Sequence, residues 1–538
     1  MTRKRRIPTK AELVQLQKLY KTDEKIGERL GGVPAYLVAY WRRKKNVPRH
    51  SQPKFSEREI RSLWERFGDD DRCGLELGIS KAAFYNWRRK YGIREKPAFL
   101  KLEQLELAFP GEKTASSGQS LWGQQTAVQK LFARAAGEGR VEAGQEVEIE
   151  PDLAVAHENG VDLIEAFGKM GVEYVWNSAK IALALDNVMG AVDVDMARAH
   201  KKIRDFAGRQ RLKALFDFVE GCPHQVMVES GTVAAGRLAV GTDERISSLG
   251  CLSGIGIQLA PEAMARLWAI GKTAAVVPGT MRVDVNGRRM RGVYTKDIAL
   301  SILAQMGKDD VAGKVVEYHG SSITQMNISE RYTLSLLTAA MRTAGAMCQF
   351  DSTTRRFLNG RATGPFEPVM TDKNATYDQI YQINIEHIPP QIKCPGGLDQ
   401  IKPVAETTDV PISLVLIGTG CNGRFDDLRI AADILKGNRV HENVRLIVYP
   451  ASRTVYLEAL KKGLVRVFAE SGAIVAQPGF GIAGERPWLQ MGPGERCLAT
   501  CGIELSEKAQ AADLYISSPA TAAATALTGV ITEPNRFM

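Results

Sequence analysis

The stretch from residue 412 to residue 435 constrains the fold of this chain more than any other. An apolar run, Ile412–Ile417, leads directly into a glycine-rich turn, Gly418–Arg424, and then into an amphipathic run, Asp426–Leu435. This pattern predicts a buried strand, a tight loop and a helix that begins with two aspartates, which suit the positive end of the helix dipole. Loops at the carboxyl ends of strands in open α/β sheets commonly hold ligands, although a plain strand-to-helix connection explains a glycine loop equally well.

The chain around this stretch is predicted to be a multidomain α/β body. After a polar segment, Pro110–Gln119, short apolar runs alternate with longer helical patterns, which is typical of parallel sheets with crossover helices. A hydrophobic content of 44% allows large cores. No apolar run approaches the roughly 20 residues needed to cross a membrane, so no membrane partner is expected. The eight cysteines follow no spacing pattern, which favours reduced thiols in a cytoplasmic protein.

The first hundred residues have a different character. They carry 25 Lys and Arg against 12 Asp and Glu, a net charge of +13, whereas the remainder, with 46 basic and 49 acidic residues, has a net charge of −3. They also contain a repeat, because Leu30–Lys44 resembles Leu77–Lys90 with one residue inserted. Each copy follows two short helical patterns, so we expect an all-α region of two helix-turn-helix units, at residues 1–50 and 51–97. A linker, 98–120, would join them to the body, 121–535.

A helix-turn-helix region with this charge predicts contacts with double-stranded DNA. The third helix of each unit would lie in the major groove, and the basic N-terminal arm would enter a neighbouring minor groove. Two small helical bundles used for protein contacts are the alternative. The predicted DNA-binding residues are Arg3, Lys4, Arg5, Arg6, Tyr36, Tyr40, Arg42, Arg43, Lys44, Ser80, Lys81, Tyr85, Asn86, Arg88, Arg89 and Lys90.

The body resembles the large subunits of the aconitase and 3-isopropylmalate dehydratase family. Gly418–Arg424 and Asp427–Arg429 are similar to the family's cluster loop and the start of the following helix. Thr295–Leu300, Ile383–Pro395 and Ser518–Ala524 match further family segments in the expected order. The resemblance implies aconitase-like domains 1–3 around a cleft. It leaves no room in this chain for the fourth, swivelling domain, which is often a separate small subunit.

The same resemblance implies that the family's metal site is degenerate here. In the family, three cysteine thiolates hold a [4Fe–4S] cluster. These positions fall on Gly420, with Cys421 one place late, and on Phe480 and Ala483. We therefore expect no cofactor and no metal.

The family's acid–base positions also differ in this sequence. The family's catalytic histidine falls on Glu244, although Asp243 and Glu244 could still titrate. The cleft positions compared in this way are Asp186, Asn187, Thr242, Asp243, Glu244, Gly420, Cys421, Asn422, Arg424, Phe480 and Ala483.

These observations lead to three hypotheses. The first is a DNA-binding transcription regulator that is not an enzyme, whose inactive aconitase-like body senses a ligand or forms homo-oligomers. The second is a self-assembling nucleoprotein. The third is a cluster-free lyase of altered chemistry that uses Asp243 or Glu244. Asn422 and Arg424 could still bind a small anion at the start of the following helix, and the alternative is that they hold the shape of the loop. RNA binding is a further alternative, but the family's RNA-binding mode needs the missing fourth domain.

Overall fold

In the computed structural model, the chain divides into two compact units, Met1–Lys113 and Thr114–Met538. The structure describes residues 7–20, 22–47, 55–67, 69–93, 124–157, 160–185, 193–306, 308–479, 491–501 and 513–538. The predicted linker therefore lies outside the described residues. No helix within these ranges is both long and apolar enough to span a membrane.

The first unit contains two groups of three helices. The helices are α1 (Lys10–Tyr20), α2 (Asp23–Arg29), α3 (Ala35–Lys44), α4 (Glu57–Phe67), α5 (Asp70–Glu76) and α6 (Lys81–Lys90). Each group has an apolar core of its own, built around Val38 and Trp41 in one and Trp64 and Phe84 in the other. A Cβ atom at Gly27 would lie 2.0 Å from the Val33 carbonyl oxygen, so this close helix approach requires glycine. The helix-turn-helix identification of these groups stays a prediction.

Strands and helices alternate through much of the second unit, as the sequence predicts for an aconitase-like body. Its helices are α7 (Ala127–Ala136), α8 (Gly160–Lys169), α9 (Val194–Gln210), α10 (Pro223–Glu229), α11 (Pro261–Ile270), α12 (Thr295–Gln305), α13 (Lys308–Val311), α14 (Ser321–Gln325), α15 (Ile328–Thr338), α16 (Ser352–Leu358), α17 (Phe425–Leu435), α18 (Arg453–Lys461), α19 (Leu464–Ser471) and α20 (Pro519–Thr528).

Within the described ranges, three larger sheets form the framework of this unit. A parallel sheet has the order β4-β3-β2-β5-β6, with β2 (Leu153–Ala156), β3 (Ile181–Ala184), β4 (Ala214–Phe216), β5 (Leu238–Gly241) and β6 (Ile255–Gln258). A second parallel sheet has the order β10-β9-β8-β11, with β8 (Thr280–Asn286), β9 (Val315–His319), β10 (Gly345–Cys348) and β11 (Gln379–Asn384). β1 (Glu146–Ile149) pairs separately with β7 (Thr273–Val276) in antiparallel fashion.

The third sheet carries the stretch with which the sequence analysis begins. Its order is β13-β12-β18-β17-β14-β15-β16. The strands are β12 (Gln391–Lys393), β13 (Ile401–Pro403), β14 (Leu414–Gly418), β15 (Arg445–Tyr449), β16 (Ile474–Val475), β17 (Arg496–Ala499) and β18 (Asp513–Ser517). β14 is fully buried and pairs in parallel with β15 and β17. The predicted strand, loop and helix are thus present, and the loop emerges from the carboxyl end of a central strand.

Arg88 illustrates how tightly the second helix group is held. Its guanidinium donates to Asp70 Oδ1 at 2.7 Å and Oδ2 at 2.8 Å, and to the Ile93 carbonyl at 2.8 Å. We expect Arg88→Ala to destabilise this group by about 3 kcal/mol, because it leaves a largely buried carboxylate uncompensated. Arg89→Ala is the control, since Arg89 is exposed and its 3.5 Å contact with Tyr85 lies at the surface. Hydrogen exchange of α4–α6 in the full chain would test this, and equal loss of protection in both variants would contradict it.

Candidate functional site

The structure divides the residues predicted to bind DNA into exposed and buried ones. Arg42 and Arg88 are buried, and each forms a two-point ion pair with an aspartate of the preceding helix, Asp23 or Asp70. Their assignment to DNA contacts is therefore wrong, because these aspartates neutralise their charges inside the fold. The exposed residues are Tyr36, Tyr40, Arg43, Lys44, Ser80, Lys81, Tyr85, Asn86, Arg89 and Lys90. The arm Arg3–Arg6 lies outside the described residues.

The loop after β14 has a tightly constrained backbone. Gly418 has a φ of 115°, and Thr419 and Asn422 have φ values of 71° and 60°, which side-chain-bearing residues seldom adopt. A Cβ atom at Gly418 would lie 1.8 Å from the Tyr449 carbonyl oxygen, and one at Gly423 would lie 2.4 Å from that of Thr419. Strained non-glycine residues of this kind often mark functional sites, because the surrounding structure must hold them in place.

Asn422 and Arg424 turn back into the protein rather than towards solvent. The Asn422 side-chain amide donates to Asp427 Oδ1 at 3.0 Å, and the Arg424 guanidinium lies 3.1 Å from Asp427 Oδ2. Arg424 also donates to Thr333 Oγ1 and lies over the Tyr332 ring at 4.8 Å from its centroid. These contacts join the loop to α15 and to the first turn of α17, so both residues have a structural role whether or not they also meet a ligand.

Lys296 holds the other side of the loop. Its ammonium group is fully buried and donates to the Cys501 carbonyl at 2.7 Å and the Thr500 carbonyl at 3.2 Å. It also lies 3.4 Å from the Cys421 sulfur, and that thiol donates to Asn422 Oδ1 at 3.2 Å. Cys421 is therefore engaged within the loop's own hydrogen-bond network.

Asp297, next to Lys296 in the first turn of α12, is fully buried and accepts from the Tyr294 and Gln391 amides at 2.8 and 2.9 Å. Burial raises its pKa to about 7 in spite of these bonds. An aspartate in the unfolded chain has a pKa of about 4. The stability that protonated Asp297 contributes is therefore complete below about pH 4 and is lost as the pH rises through about 7. We expect the unfolding free energy of the wild type to fall over this range relative to Asp297→Asn, measured by urea denaturation. Parallel pH profiles would contradict this.

The predicted acid–base residues lie after β5. Asp243 accepts hydrogen bonds from the Arg245 guanidinium on both carboxylate oxygens and from the Arg245 backbone amide at 2.7 Å. Although burial opposes ionisation, the Arg245 guanidinium holds the pKa of Asp243 well below its ordinary value. Asp243 therefore serves as a permanent anion that orients Arg245, and Glu244 is exposed. Thr242 Oγ1 accepts from the His157 amide at 3.3 Å.

A buried histidine pair lies beside Asp243. The rings of His157 and His224 are 4.3 Å apart between centroids. Burial and the charge of His157 keep the pKa of His224 well below its ordinary value, so its imidazole is neutral. His224 Nε2 is buried and has no hydrogen-bond partner among the described residues. A neutral imidazole with an available nitrogen can accept a proton.

Cys222 links this region to the loop. Burial raises the pKa of its thiol well above the ordinary value, and the charges that act on it belong to Arg245, Glu229, Arg424 and Cys421. The two sets of predicted cleft residues, after β5 and after β14, are therefore neighbours around Cys222. Asp186, Asn187, Phe480 and Ala483 lie outside the described residues.

Two cavities border the loop. The larger, of about 720 Å³, is lined by Lys296, Asn422 and Asp427 together with charged residues of α15 and α17. The smaller, of about 400 Å³, is lined by Arg424 and by residues of α10, including Glu229. Burial raises the pKa of Glu229, against the opposing effects of its hydrogen bonds and of nearby arginines.

Sequence reasoning missed several of these residues. Lys296 lies in a segment that the family resemblance already includes, but nothing in that segment shows that its side chain reaches the loop. No sequence signal pointed to His224, Glu229 or Thr333. They become visible only when α10 and α15 are packed against the ends of β5 and β14.

Comparison with known proteins places this arrangement in a family. The family model "Aconitase family (aconitate hydratase)" matches residues 192–408 and 397–529. The chain is 35% identical over 417 residues to "3-isopropylmalate dehydratase large subunit 1" of Methanopyrus kandleri, covering 77% of this chain and 100% of that protein. It is 35% identical over 421 residues to the protein of the same name from Thermotoga maritima, covering 77% and 100%. It is 34% identical over 388 residues to a "Probable methanogen homoaconitase large subunit" of Methanosarcina mazei, covering 72% and 99%.

These relatives overturn the first hypothesis of the sequence analysis. They are named as dehydratase and homoaconitase large subunits, which are enzymes, and they correspond to this chain along essentially their whole length. The interpretation as a DNA-binding transcription regulator with an inactive pseudoenzyme body is therefore wrong. DNA and further copies of this chain are likewise not supported as its partners. A correspondence along the whole body is stronger evidence of function than a few altered positions and a basic N-terminus.

Proposed function

This chain belongs to the aconitase family, and on that premise we propose that it is an enzyme, a lyase that adds or removes water at a small hydroxy acid. The observation that carries the proposal is the correspondence with dehydratase large subunits over their full length. The constrained loop after β14 supports it, because a fold keeps strained residues only where the surroundings hold them.

The residues present do not fit the family's three-thiolate cluster. Gly420 has no side chain that could bind iron, and the other two ligand positions are Phe480 and Ala483. The neighbouring Cys421 sulfur is in contact with the Lys296 ammonium at 3.4 Å and bonds to Asn422. Among the described residues, no group of three or more His, Cys, Asp or Glu could hold a metal ion. The proposed lyase therefore acts through side chains rather than through a cluster at these positions.

Removing water from a hydroxy acid requires a base that takes a proton from carbon and an acid that protonates the leaving oxygen. We assign the base to His224, because its Nε2 is buried and has no partner in the described part of the chain, and because the charge of Asp243 raises its pKa against the effect of burial and would stabilise the imidazolium that forms. Asp243, which the sequence suggested, is a poor base because Arg245 occupies both of its carboxylate oxygens and lowers its pKa.

A separate small subunit is the partner that this proposal implies. The relatives are named large subunits, which implies a second, smaller subunit. We further propose that the two groups of three helices, α1–α3 and α4–α6, are two helix-turn-helix units. The order of helices in each group and the close approach at Gly27 and Gly74 support this; no ligand is assigned to them.

The test is turnover by the full chain, co-expressed with a candidate small subunit and purified without oxygen. Hydroxy acids and the matching unsaturated acids would be screened by the ultraviolet absorbance of the conjugated double bond. We expect turnover that survives iron chelation, and a decrease of about a hundredfold or more in His224→Asn, as is typical for loss of a general base. The exposed His387 gives the control, His387→Asn. Activity that depends strictly on iron, or no turnover of any substrate, would contradict the proposal.

A further inference from the structure

Three side chains with oxygen or nitrogen donor atoms converge at the second parallel sheet, which is a different sheet from the one that carries the loop after β14. Glu317 and His319 belong to β9, and alternate residues of a strand point to the same face. Tyr377 lies just before β11 in the chain. The Tyr377 hydroxyl donates to Glu317 Oε2 at 3.0 Å and lies 3.5 Å from His319 Nε2, which is itself 3.3 Å from the same Oε2.

The two oxygens of the Glu317 carboxylate are unequally satisfied. Glu317 is 3% exposed, and its Oε2 is approached by His319, by Tyr377 and by the Thr371 hydroxyl, which donates at 2.8 Å. A carboxylate oxygen has two lone pairs, so three neighbours compete for them. Oε1 is buried and has no hydrogen-bond partner among the described residues. Hydrogen bonding within the protein therefore leaves one oxygen crowded and the other unpaired.

Glu317 also lacks a permanent cation as its partner. In the described part of the chain its ion pair is with His319, and no lysine or arginine is paired with it. Arg282 lies over the Tyr377 ring at 5.9 Å from its centroid, but it is paired with Asp284 at 2.8 Å. Buried carboxylates are normally paired with a cation or coordinate a metal ion. A cation at this cluster would therefore complete an arrangement that the protein alone leaves unbalanced.

The spacing of the three donor atoms fits a metal ion. Zinc binds nitrogen and oxygen at about 2.0–2.2 Å in tetrahedral geometry, so its ligands lie about 3.4 Å from one another. The three separations in the cluster, 3.0, 3.3 and 3.5 Å, bracket this value. Hydrogen bonds alone give similar separations, but they leave Glu317 Oε1 unpaired.

A small cavity beside the cluster has room for a fourth ligand. Its volume is about 10 Å³, and Glu317, His319 and Thr371 are among the residues that line it. This space is enough for about one water molecule. A metal-bound water there would donate a hydrogen bond to Glu317 Oε1, the oxygen that the protein leaves unpaired.

We propose that Glu317, His319 and Tyr377 bind a divalent transition-metal ion of the zinc type. Glu317 Oε2, His319 Nε2 and the Tyr377 oxygen would be its ligands, and Thr371 would keep its bond to Oε2 and orient the carboxylate, as outer-shell partners do. Burial and the charge of Glu317 raise the pKa of Tyr377, so the hydroxyl keeps its proton until the ion takes the place of that proton, which leaves to solvent.

This metal would be separate from the family's cluster and from the proposed reaction. The family's ligand positions fall in and after the loop that follows β14, whereas this site belongs to β9 and the segment before β11. Because its third ligand is a tyrosine, the site is compatible with the absence of three clustered His, Cys, Asp or Glu residues from the described ranges. The ion would join β9 to that segment whether or not the chain is a lyase.

Isothermal titration calorimetry of the full chain, first stripped of metal with a chelator, tests this with zinc chloride as the probe. We expect one tightly bound zinc ion per chain. His319→Gln should weaken zinc binding by about a hundredfold or more, since loss of an outer-shell partner alone costs about 10–100-fold. Tyr377→Phe, which removes only the hydroxyl, should weaken it by about tenfold or more. The exposed His387 gives the matched control, His387→Gln, which should bind zinc as the wild type does.

Cobalt(II) in place of zinc reports which atoms hold the ion. We expect the visible absorption of four-coordinate cobalt without the ultraviolet sulfur-to-metal charge-transfer band that cysteine ligands would cause. Tyr377 is only partly buried, so Tyr377→Phe tests the site even if His319→Gln does not fold. Zinc binding that either variant leaves unchanged, or a sulfur charge-transfer band, would overturn the proposal. A chain that binds no zinc would overturn it as well, and the small cavity would then hold only water.

Discussion

Gly418→Ala should destabilise the second unit by about 4 kcal/mol or more, the range of the most disruptive single substitutions. The added Cβ would lie 1.8 Å from the Tyr449 carbonyl oxygen, where no relaxation of a side chain can make room. The residue also has a φ of 115°, which alanine adopts only with strain. Its amide donates to Thr500 Oγ1 at 2.8 Å, so moving the backbone away from β15 would break a bond towards β17.

Gly437→Ala is the matched control for this prediction. Gly437 follows α17 with a φ of 77°, and nothing lies within 4 Å of the position that a Cβ would occupy. Only the left-handed backbone opposes the substitution, at a cost of about 1 kcal/mol. Urea denaturation of both variants measures the difference in their unfolding free energies. We expect the proposed lyase activity to be lost with Gly418→Ala alone. Equal stability of the two variants would show that the loop is not pressed against β15.

The sequence allowed the local structure of this region to be predicted well. The apolar run before Gly418 is β14, and the amphipathic run after Arg424 is α17, because hydrophobic periodicity and the two aspartates are local signals. The aconitase-like α/β body is confirmed by the family match. What could not be predicted is the set of contacts between distant segments. The bond from Arg424 to Thr333 of α15 joins residues 91 positions apart.

The same limit explains the errors in charge assignment. Arg42 and Arg88 lie among exposed basic residues in the sequence, but each turns inwards to an aspartate 18 or 19 residues earlier. Asp243 looked able to titrate until Arg245, two residues later, proved to hold it ionised. Helical periodicity assigns a residue to a face, but it does not show which neighbour neutralises its charge.

The absence of cysteine at the three family positions is weak evidence against catalysis. The resemblance assigns the family's metal-ligand positions to Gly420, Phe480 and Ala483, but a predicted loss of the cofactor does not establish a loss of catalysis. The structure contains a neutral, buried His224 and a protonatable Glu229 near the same loop. Neither was considered from the sequence, because a single histidine or glutamate on a helix carries no signal until its surroundings are known.

Lys296→Met should also cause a large loss of stability, and it tests whether Lys296 holds the loop after β14 in place. The Lys296 ammonium joins α12 to Cys421 of the loop and to the Thr500 and Cys501 carbonyls after β17. Methionine has a similar volume but donates no hydrogen bond, so the two carbonyls would lose their buried donor. Each such loss costs about 1–3 kcal/mol, and we expect a total of about 3–5 kcal/mol together with faster hydrogen exchange at residues 419–424.

Lys393→Met provides the comparison, because it removes another buried ammonium of the same unit. Lys393 donates to the Cys394 and Gly396 carbonyls, one and three residues away, and neither of these two bonds reaches the loop after β14. Its loss should change exchange near β12 and leave residues 419–424 protected. If both variants exposed the loop equally, the effect would be a general loss of stability. If neither did, Lys296 would not hold the loop, and its strained residues would be stabilised by Arg424, Asn422 and Asp427 alone.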